Sequence, residues 1–344
     1  MGLSIALVTT WKVRCGIASY SEHLANALSQ LDVNVYVVRL PRFGLKDVNV
    51  FQNIVDTIPT DKIDLIHIEH EYGLFSNFEK VFFPNLKRLG KPIVTTMHAV
   101  GNWELDNIIA QASDKIIVHN DYCYKRFGYL DKVHIIPHGM TPLQTPAPPG
   151  EACKKYMHIQ EEALTVGYLG YISSYKGLET LIDAMRNVPN AGLVIGGGWF
   201  VEQETAYIVG LKESTLKALP NRCQWLGYIP DDDLGMAYGA MDIIVYPSRF
   251  MTESGALLMA LSHGKAVIAR DLPPVREKAK QKVLLTFKNV DHLRKKIKRL
   301  LKDEDLRREL QEAAKAFSQQ NSWENIAKKH IQLYEQILRD KPNT

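Results

Sequence analysis

Short apolar runs alternate with helical stretches along most of the chain, and this alternation restricts the folds that the chain can adopt. An apolar run of four to six residues bounded by polar or glycine-rich segments is typical of a buried strand. Strands that alternate with helices predict a parallel, doubly wound sheet with helices on both faces. In the first half of the sequence, such runs lie at residues 4–8, 33–38, 64–69, 92–97, 115–118 and 133–136.

The same alternation starts again after residues 141–150, which include four prolines and are typical of a linker. The later runs lie at residues 164–169, 191–195, 224–228, 243–245 and 266–269. We therefore predict an α/β protein of two Rossmann-like domains, residues 1–145 and 146–322, whose parallel sheets face a central cleft. An amphipathic closing helix within residues 323–344 could pack on either domain.

The composition is that of a soluble protein, with 46% hydrophobic and 23% charged residues. No apolar run reaches the roughly 18–20 residues of a membrane span, and the opening residues lack the basic leader of a signal peptide. The four cysteines are scattered without a CxxC pair, which fits a reducing compartment and argues against a zinc site or a disulfide framework. We therefore expect the protein in the cytoplasm.

Residues 276–302 are strongly basic, with 11 basic and 2 acidic side chains. One interpretation is a solvated amphipathic helix with Leu293, Ile297, Leu300 and Leu301 inward. The other is a peripheral contact with anionic lipid at the inner membrane face. Aromatic side chains do not alternate with these charges, so we do not expect nucleic-acid binding.

A capped helix is predicted directly after the run at residues 243–245. Glu253, Ser254 and Gly255 form the entrance of that helix, and Ala256 follows. The free N–H groups at a helix N-terminus, together with the helix dipole, favour an anion such as a phosphate. The alternative is an ordinary crossover helix with a cap.

Polar residues and glycines also follow other predicted strands, where α/β proteins bind ligands. Gly16 would let a ligand approach a helix start, His98 ends an apolar run, and Lys176 begins a helix in the second half. His67, Glu69, His70 and Glu71 have the residue types of metal ligands, but strand alternation divides them between two faces. We therefore predict no metal there and an acceptor-side polar wall formed by His70, Glu71 and Tyr72.

In combination, several segments resemble the retaining glycosyltransferases of the GT-B fold, glycosyltransferase family four (group 1). They cover nearly the whole chain in the family's order. The segments are CGIASYSEHLANAL, HIEHEYGLF, TTMHAV, HIIPHGM, VGYLGYISSYKGLETLIDAM, LGYIPDDDLGMAYGAMDIIVYPS and SWENIAKKHIQLYEQIL. The resemblance implies sugar transfer from a UDP- or GDP-sugar to a glycan, lipid-linked or small-molecule acceptor, with anomeric retention and without a metal or other cofactor. It also implies that the closing helix returns to the first domain.

The resemblance further implies roles for individual residues. His98 would lie near the transferred sugar, Lys176 would neutralise the leaving diphosphate, and Glu253 would orient the donor sugar. The residues implied to bind the donor diphosphate are Gly16, Lys176, Ser254, Gly255 and Ala256. The residues expected in loops beside the nucleotide are Gly170, Tyr171, Gly227 and Tyr228.

The sequence departs from the family pattern at two positions. Tyr171 stands where an Arg is common, so Arg249 or Arg14 would have to supply the second cation. Met259 occupies the slot of a second glutamate that usually binds ribose. These departures favour, as the alternative, a non-catalytic nucleotide-sugar-binding subunit that acts with a partner. A nicotinamide dehydrogenase is a more distant alternative, because the glycines at 196–198 lack the spacing of a dinucleotide fingerprint.

Overall fold

The computed structural model describes residues 2–41, 47–127, 130–143, 148–159, 164–199 and 204–340. The chain divides into two compact units, unit 1 with Met1–Gly139 and Asn321–Thr344, and unit 2 with Met140–Gln320. The closing helix is thus part of unit 1, although it follows unit 2 in the sequence. The predicted boundary at residues 145 and 146 lies outside the described residues.

Unit 1 contains a parallel sheet with six strands among its described residues, in the order β2-β1-β3-β4-β5-β6. The strands are β1 (Ser4–Thr9), β2 (Asn34–Arg39), β3 (Leu65–His70), β4 (Ile93–Met97), β5 (Lys115–Val118) and β6 (Val133–Ile135). The helices are α1 (Gly16–Ser29), α2 (Val48–Asp56), α3 (Tyr72–Phe75), α4 (Glu79–Lys87), α5 (Trp103–Ala112), α6 (Asp121–Phe127) and α15 (Trp323–Asp340).

Strand β3 lies between β1 and β4 and is buried on both faces. Its residues His67, Glu69 and His70 have no exposed area, although all three are polar. Parallel strands covered on both faces are usually apolar throughout. Polar groups in such a strand must find hydrogen-bond partners within the protein, because water is excluded from them.

Unit 2 contains a second parallel sheet, with six described strands in the order β12-β11-β10-β7-β8-β9. The strands are β7 (Leu164–Leu169), β8 (Ala191–Gly196), β9 (Cys223–Gly227), β10 (Ile243–Tyr246), β11 (Ala266–Arg270) and β12 (Leu285–Phe287). The helices are α7 (Gly150–Tyr156), α8 (Leu178–Met185), α9 (Thr205–Ala218), α10 (Leu234–Gly239), α11 (Gly255–Ser262), α12 (Pro273–Lys280), α13 (Val290–Lys302) and α14 (Glu304–Gln320). The two sheets confirm the predicted α/β fold of two Rossmann-like domains.

The prediction of one amphipathic helix over residues 276–302 is wrong. This segment contains the end of α12, the edge strand β12 and then α13. Leu293, Ile297 and Leu300 are buried as predicted, but their helical spacing holds for α13 alone. No helix in the described part of the chain is long and apolar enough to cross a membrane.

Candidate functional site

The carboxyl ends of β7 and β10 in unit 2 are joined to the start of α11 by one buried tyrosine. The Tyr246 hydroxyl lies 3.0 Å from the Leu169 carbonyl oxygen and 2.6 Å from that of Ala256. A Cβ atom at Gly170 would lie 3.1 Å from the Ala256 Cβ, so the glycine permits this close approach. Tyr246 therefore fixes the loop after β7 beside the first turn of α11.

Two further loops pack against the same place through their backbones. The Gly197 N–H donates to the Gly227 carbonyl at 2.7 Å, and a Cβ at Gly197 would lie 1.8 Å from the Gly170 carbonyl oxygen. Only a glycine fits there, and its φ of 145° is also one that other residues rarely adopt. Tyr228, 42% exposed, follows Gly227. The structure thus brings together the loops predicted to lie beside the nucleotide.

The N-terminus of α11 is capped as predicted, but one of its N–H groups is already used. The Ser254 hydroxyl accepts from the Leu257 N–H at 3.3 Å, while the Ser254 N–H donates to the Glu253 carboxylate at 2.9 Å. The predicted cradle of three N–H groups is therefore corrected to Gly255 and Ala256. Gly255 is exposed, and a Cβ there would meet nothing within 4 Å. An approaching anion would meet these two N–H groups at the positive end of the helix dipole.

Glu253 makes a buried ion pair that the sequence did not reveal. The Lys278 Nζ lies 3.0 Å and 2.8 Å from the two carboxylate oxygens, and the side chains are 8% and 10% exposed for Lys278 and Glu253. Lys278 comes from α12, where the sequence presented it as one member of a basic run. The pair fixes the Glu253 carboxylate directly before α11.

Lys176 lies in a turn that is tied to the segment after β10. The 3-10 turn covers Ser174–Lys176, and α8 begins at Leu178, so Lys176 lies two residues before the helix. The main-chain N–H of Arg249 donates to the Tyr175 carbonyl at 2.8 Å. The Lys176 Nζ lies 4.6 Å from the centre of the Tyr175 ring. The main chain of the turn is therefore tied to the loop that carries Arg249, and the Lys176 ammonium lies over the Tyr175 ring.

Arg249 supplies a second cation close to the Lys176 turn. Its guanidinium Nη2 lies 3.3 Å from a carboxylate oxygen of Glu179, and its side chain is 58% exposed. A pair so exposed to solvent adds little stability. The guanidinium can therefore exchange Glu179 for another anion at small cost.

In unit 1, Gly16 is the exposed first residue of α1. A Cβ at this position would meet nothing within 4 Å. The residue before it, Cys15, forms no side-chain hydrogen bond to the helix start. The start of α1 is thus exposed at Gly16.

His98 follows β4 and lies in a buried group of aromatic and polar side chains. Its Nε2 is 2.8 Å from Glu69 Oε2, and its Nδ1 is 3.3 Å from His119 Nε2. The Tyr20 ring packs edge-on against the imidazole with ring centroids 4.7 Å apart. Burial lowers the pKa of His98 to about 3, so the imidazole is neutral at physiological pH. Both ring nitrogens are thus engaged by the protein.

Of the three residues predicted to form an acceptor-side wall, His70 is buried and cannot face an acceptor, whereas Glu71 and Tyr72 are partly exposed and also make contacts within unit 1. His70 has no exposed area, and its Nε2 lies 3.1 Å from Glu79 Oε1. The Glu71 carboxylate accepts from the Gly73 N–H at 2.8 Å and caps α3. The Tyr72 hydroxyl donates to Asp106, and burial raises the pKa of Tyr72. Within the described residues, no three His, Cys, Asp or Glu side chains are arranged to hold a metal ion.

Comparison with solved structures identifies the architecture. The chain superposes on the Anabaena protein HepE in complex with UDP with a TM-score of 0.79 and 15% identity, covering 97% of this chain and 100% of that one. At this identity, the likeness concerns the fold. The protein has the GT-B fold, with two Rossmann-like units.

Sequence comparison adds the family. Residues 153–317 match the model of the glycosyl transferases group 1 family. An uncharacterized glycosyltransferase of Methanocaldococcus jannaschii is 26% identical over 191 residues, 53% of this chain and 47% of its own. A GDP-mannose:glycolipid 4-beta-D-mannosyltransferase of Xanthomonas campestris pv. campestris is 32% identical over 106 residues, 30% of this chain and 29% of its own. The chain thus spans about half or less of the length of these curated relatives.

Proposed function

We propose that this protein transfers a sugar from a UDP- or GDP-sugar, with anomeric retention and without a metal ion. The observation that carries the proposal is the meeting of the α11 N-terminus, the Lys176 turn and the glycine-lined loops at one edge of the unit 2 sheet. Ligands of open α/β sheets bind at such carboxyl edges. The UDP complex of HepE and the GDP-mannose donor in the name of the Xanthomonas relative support the choice of donors.

The proposed chemistry is stabilisation of a departing nucleoside diphosphate. As the bond to the sugar breaks, negative charge grows on the diphosphate, and fixed positive groups stabilise it most at that moment. Lys176 and Arg249 supply cations. The main chain at Gly255, Ala256 and Gly16 supplies N–H groups that a phosphate can approach. His98 contributes on the sugar side, and Glu253 orients the donor sugar. These groups replace the metal ion that other transferases use to hold the diphosphate.

The proposed acceptor is a glycan, a lipid-linked saccharide or a small molecule, reached from the cytoplasm. The Xanthomonas relative is named for a glycolipid acceptor, which supports the lipid-linked class. The exposed cations of residues 276–302, among them Lys295, Lys298 and Arg299, give this region a charge suited to anionic lipid. We therefore place the protein at the inner face of a membrane when it meets a lipid-linked acceptor.

A panel of UDP-, GDP- and ADP-sugars tests the proposal by donor hydrolysis and by transfer, each with and without EDTA. We expect turnover with a UDP- or GDP-sugar that EDTA leaves unchanged. In thermal unfolding, the matching nucleotide at 100 times its Kd should stabilise the protein by about 2.7 kcal/mol. No turnover and no UDP or GDP binding across the panel would overturn the proposal.

The second candidate is a nucleotide-sugar-binding subunit without activity of its own. It is favoured by Met259, which packs against the core of unit 2 where the family has a carboxylate, and by the ion pair that occupies Glu253. A side chain that only packs cannot bind ribose hydroxyls. Donor binding without turnover, with turnover restored by a partner protein, would select this candidate over the first.

A further inference from the structure

A chain of hydrogen bonds in unit 1 begins at a main-chain carbonyl, which fixes its direction. His119 Nδ1 lies 3.0 Å from the Ile136 carbonyl oxygen. A carbonyl oxygen only accepts, so His119 Nδ1 must carry the hydrogen. His119 is buried, which favours the neutral imidazole. A neutral imidazole has one N–H, and therefore His119 Nε2 is an acceptor.

The acceptor role of His119 Nε2 determines which nitrogen of His98 carries the hydrogen. His119 Nε2 and His98 Nδ1 lie 3.3 Å apart. Because the His119 nitrogen accepts, His98 Nδ1 must donate. In a neutral His98, the other nitrogen, Nε2, is then an acceptor as well.

The last hydrogen bond of the chain requires a proton on one of two groups. His98 Nε2 lies 2.8 Å from Glu69 Oε2. Either Glu69 is a neutral acid that donates to His98, or Glu69 is a carboxylate and His98 is an imidazolium. A neutral His98 facing a carboxylate would place two acceptors against each other, so the geometry excludes that pairing.

The surroundings of Glu69 favour the neutral pair. Glu69 has no exposed area, and its second oxygen, Oε1, makes no hydrogen bond. The His67 Nε2 atom lies 3.6 Å from Oε1, beyond hydrogen-bond distance. That nitrogen is instead hydrogen-bonded to the Thr96 hydroxyl at 2.7 Å. A buried carboxylate with one oxygen unsatisfied is costly, whereas a neutral acid leaves only a carbonyl oxygen there.

The two tyrosines beside Glu69 do not supply a compensating cation. Tyr20 and Tyr334 face it from α1 and α15, and burial raises the pKa of both hydroxyls, so they stay neutral. Burial raises the pKa of Glu69, and it lowers the pKa of His67 and His98. Each shift favours the uncharged form of its group.

We propose that Glu69 is a protonated carboxylic acid that donates to His98 Nε2 and so holds His98 as the neutral Nδ1–H tautomer. Glu69 is then a positioning residue for His98. With both nitrogens engaged, His98 meets a bound sugar as a fixed neutral ring and does not act as a general base. The positioning role rests on the proposed function, whereas the protonation state of Glu69 stands without it.

Glu69→Gln and Glu69→Ala separate this arrangement from an ion pair. A glutamine amide can donate to His98 Nε2 as the acid does, so E69Q should keep turnover within about threefold. E69A leaves Nε2 unpaired and should lower turnover about 10–100-fold, the scale found when the orienting partner of a metal-binding histidine is lost. Glu79→Gln, at the carboxyl group 3.1 Å from the buried His70 of β3, is the matched control and should leave His98 unchanged. An E69Q enzyme that folds but is as impaired as E69A would overturn the proposal.

Nitrogen-15 NMR of labelled histidine reads the proton directly, with His98 assigned from the signals missing in His98→Gln. We expect an unprotonated Nε2 and a protonated Nδ1 from pH 5 to 8, in the wild type and in E69Q. An imidazolium signal for His98 in the wild type at pH 7, or the opposite tautomer, would contradict the proposal. The NMR result holds even if no donor is turned over, so it can be told apart from a failure of the proposed function.

Discussion

The Lys278 ammonium lies within 3.0 Å of both carboxylate oxygens of Glu253, in a pair that is nearly buried on both sides. A third donor, the Ser254 N–H, lies 2.9 Å from one of the same oxygens. Glu253 is therefore held as a carboxylate directly before α11. Its negative charge offsets part of the positive helix end, which leaves the cations of the neighbouring loops to attract a diphosphate.

Removal of Lys278 should be costly because it leaves a buried charge unpaired. We expect Lys278→Met to lower the free energy of unfolding by about 3–5 kcal/mol, measured by urea denaturation. Lys280→Met, on the exposed side of the same helix, should change it by less than about 0.5 kcal/mol. The double variant with Glu253→Gln should lose less than the two single losses together, because neither change then leaves a charge alone. Additive losses would show that the two residues are not coupled.

Loss of Lys176 should affect turnover more than donor binding. Lys176→Ala removes a cation whose effect grows as charge develops on the leaving diphosphate, and we expect kcat to fall about 10²–10³-fold. The Kd for the donor should rise less than kcat falls. Lys176→Arg should not restore full activity, since a planar guanidinium does not replace a compact ammonium. Lys212→Ala, at an exposed position of α9, is the control. Near-normal kcat in a folded K176A enzyme would mean that the diphosphate lies elsewhere.

Gly139 should not tolerate a methyl group. A Cβ at this position would lie 2.2 Å from the Trp323 ring, which packs against Tyr20 of α1. Gly139→Ala should therefore destabilise the protein by about 1–3 kcal/mol through overpacking. Gly210→Ala is the opposite case, because its Cβ would meet nothing within 4 Å in the interior of α9. It should stabilise by up to about 1 kcal/mol. Equal thermal shifts in the two variants would refute this account.

Stability should fall in mild acid through buried histidines. Burial lowers the pKa of His330 to about 4 from its ordinary 6.5, and its Nε2 has no hydrogen-bond partner. Below pH 6.5 the unfolded chain takes up a proton that the folded protein does not, so stability is complete above that pH and declines towards pH 4. His330 should account for about 2 kcal/mol of the loss between pH 7 and pH 5. His330→Leu should reduce the difference in the free energy of unfolding between pH 7 and pH 5 by that amount. His158→Asn, at an exposed position, should leave this difference unchanged. An unchanged difference in the leucine variant would remove His330 from the explanation.

Binding to anionic vesicles should depend on the basic face of α13. Lys295 and Lys298 are exposed, and each cation near an anionic surface contributes about 1 kcal/mol. Charge reversal at Lys295, Lys296, Lys298 and Arg299 should abolish co-sedimentation with phosphatidylserine vesicles at 0.1 M salt. Reversal of Lys212 and Lys217 on α9 is the control. Binding that survives the α13 changes would refute a lipid contact through this region.

The sequence predicted the parts of the molecule that depend on local pattern. Apolar runs placed the six strands of the first sheet and five of the six strands of the second, and Ser254 marked the start of α11, because burial and capping leave a short-range signature. The run at residues 276–302 was misjudged because the helical spacing of α13 was extended across β12, a strand of three residues.

The sequence pattern did not predict which buried side chains pair with each other. Lys278 is 25 residues from Glu253, and His98 is 29 residues from Glu69. Neither distance corresponds to a helix or strand period, so only the folded chain shows the partners. His70 illustrates the same limit, since its position in a fully covered strand turned an expected surface residue into a buried one.

The position of α15 affects the order in which the protein can be made. In unit 1, Trp323 packs against Gly139 and the Tyr334 hydroxyl lies 2.6 Å from His67 Nδ1. Trp323 and Tyr334, however, are synthesised after all of unit 2. On the ribosome, the later unit therefore completes its contacts before the earlier one. Until α15 emerges, unit 1 exposes the apolar face that this helix covers, and a chaperone that binds nascent chains would find its target there.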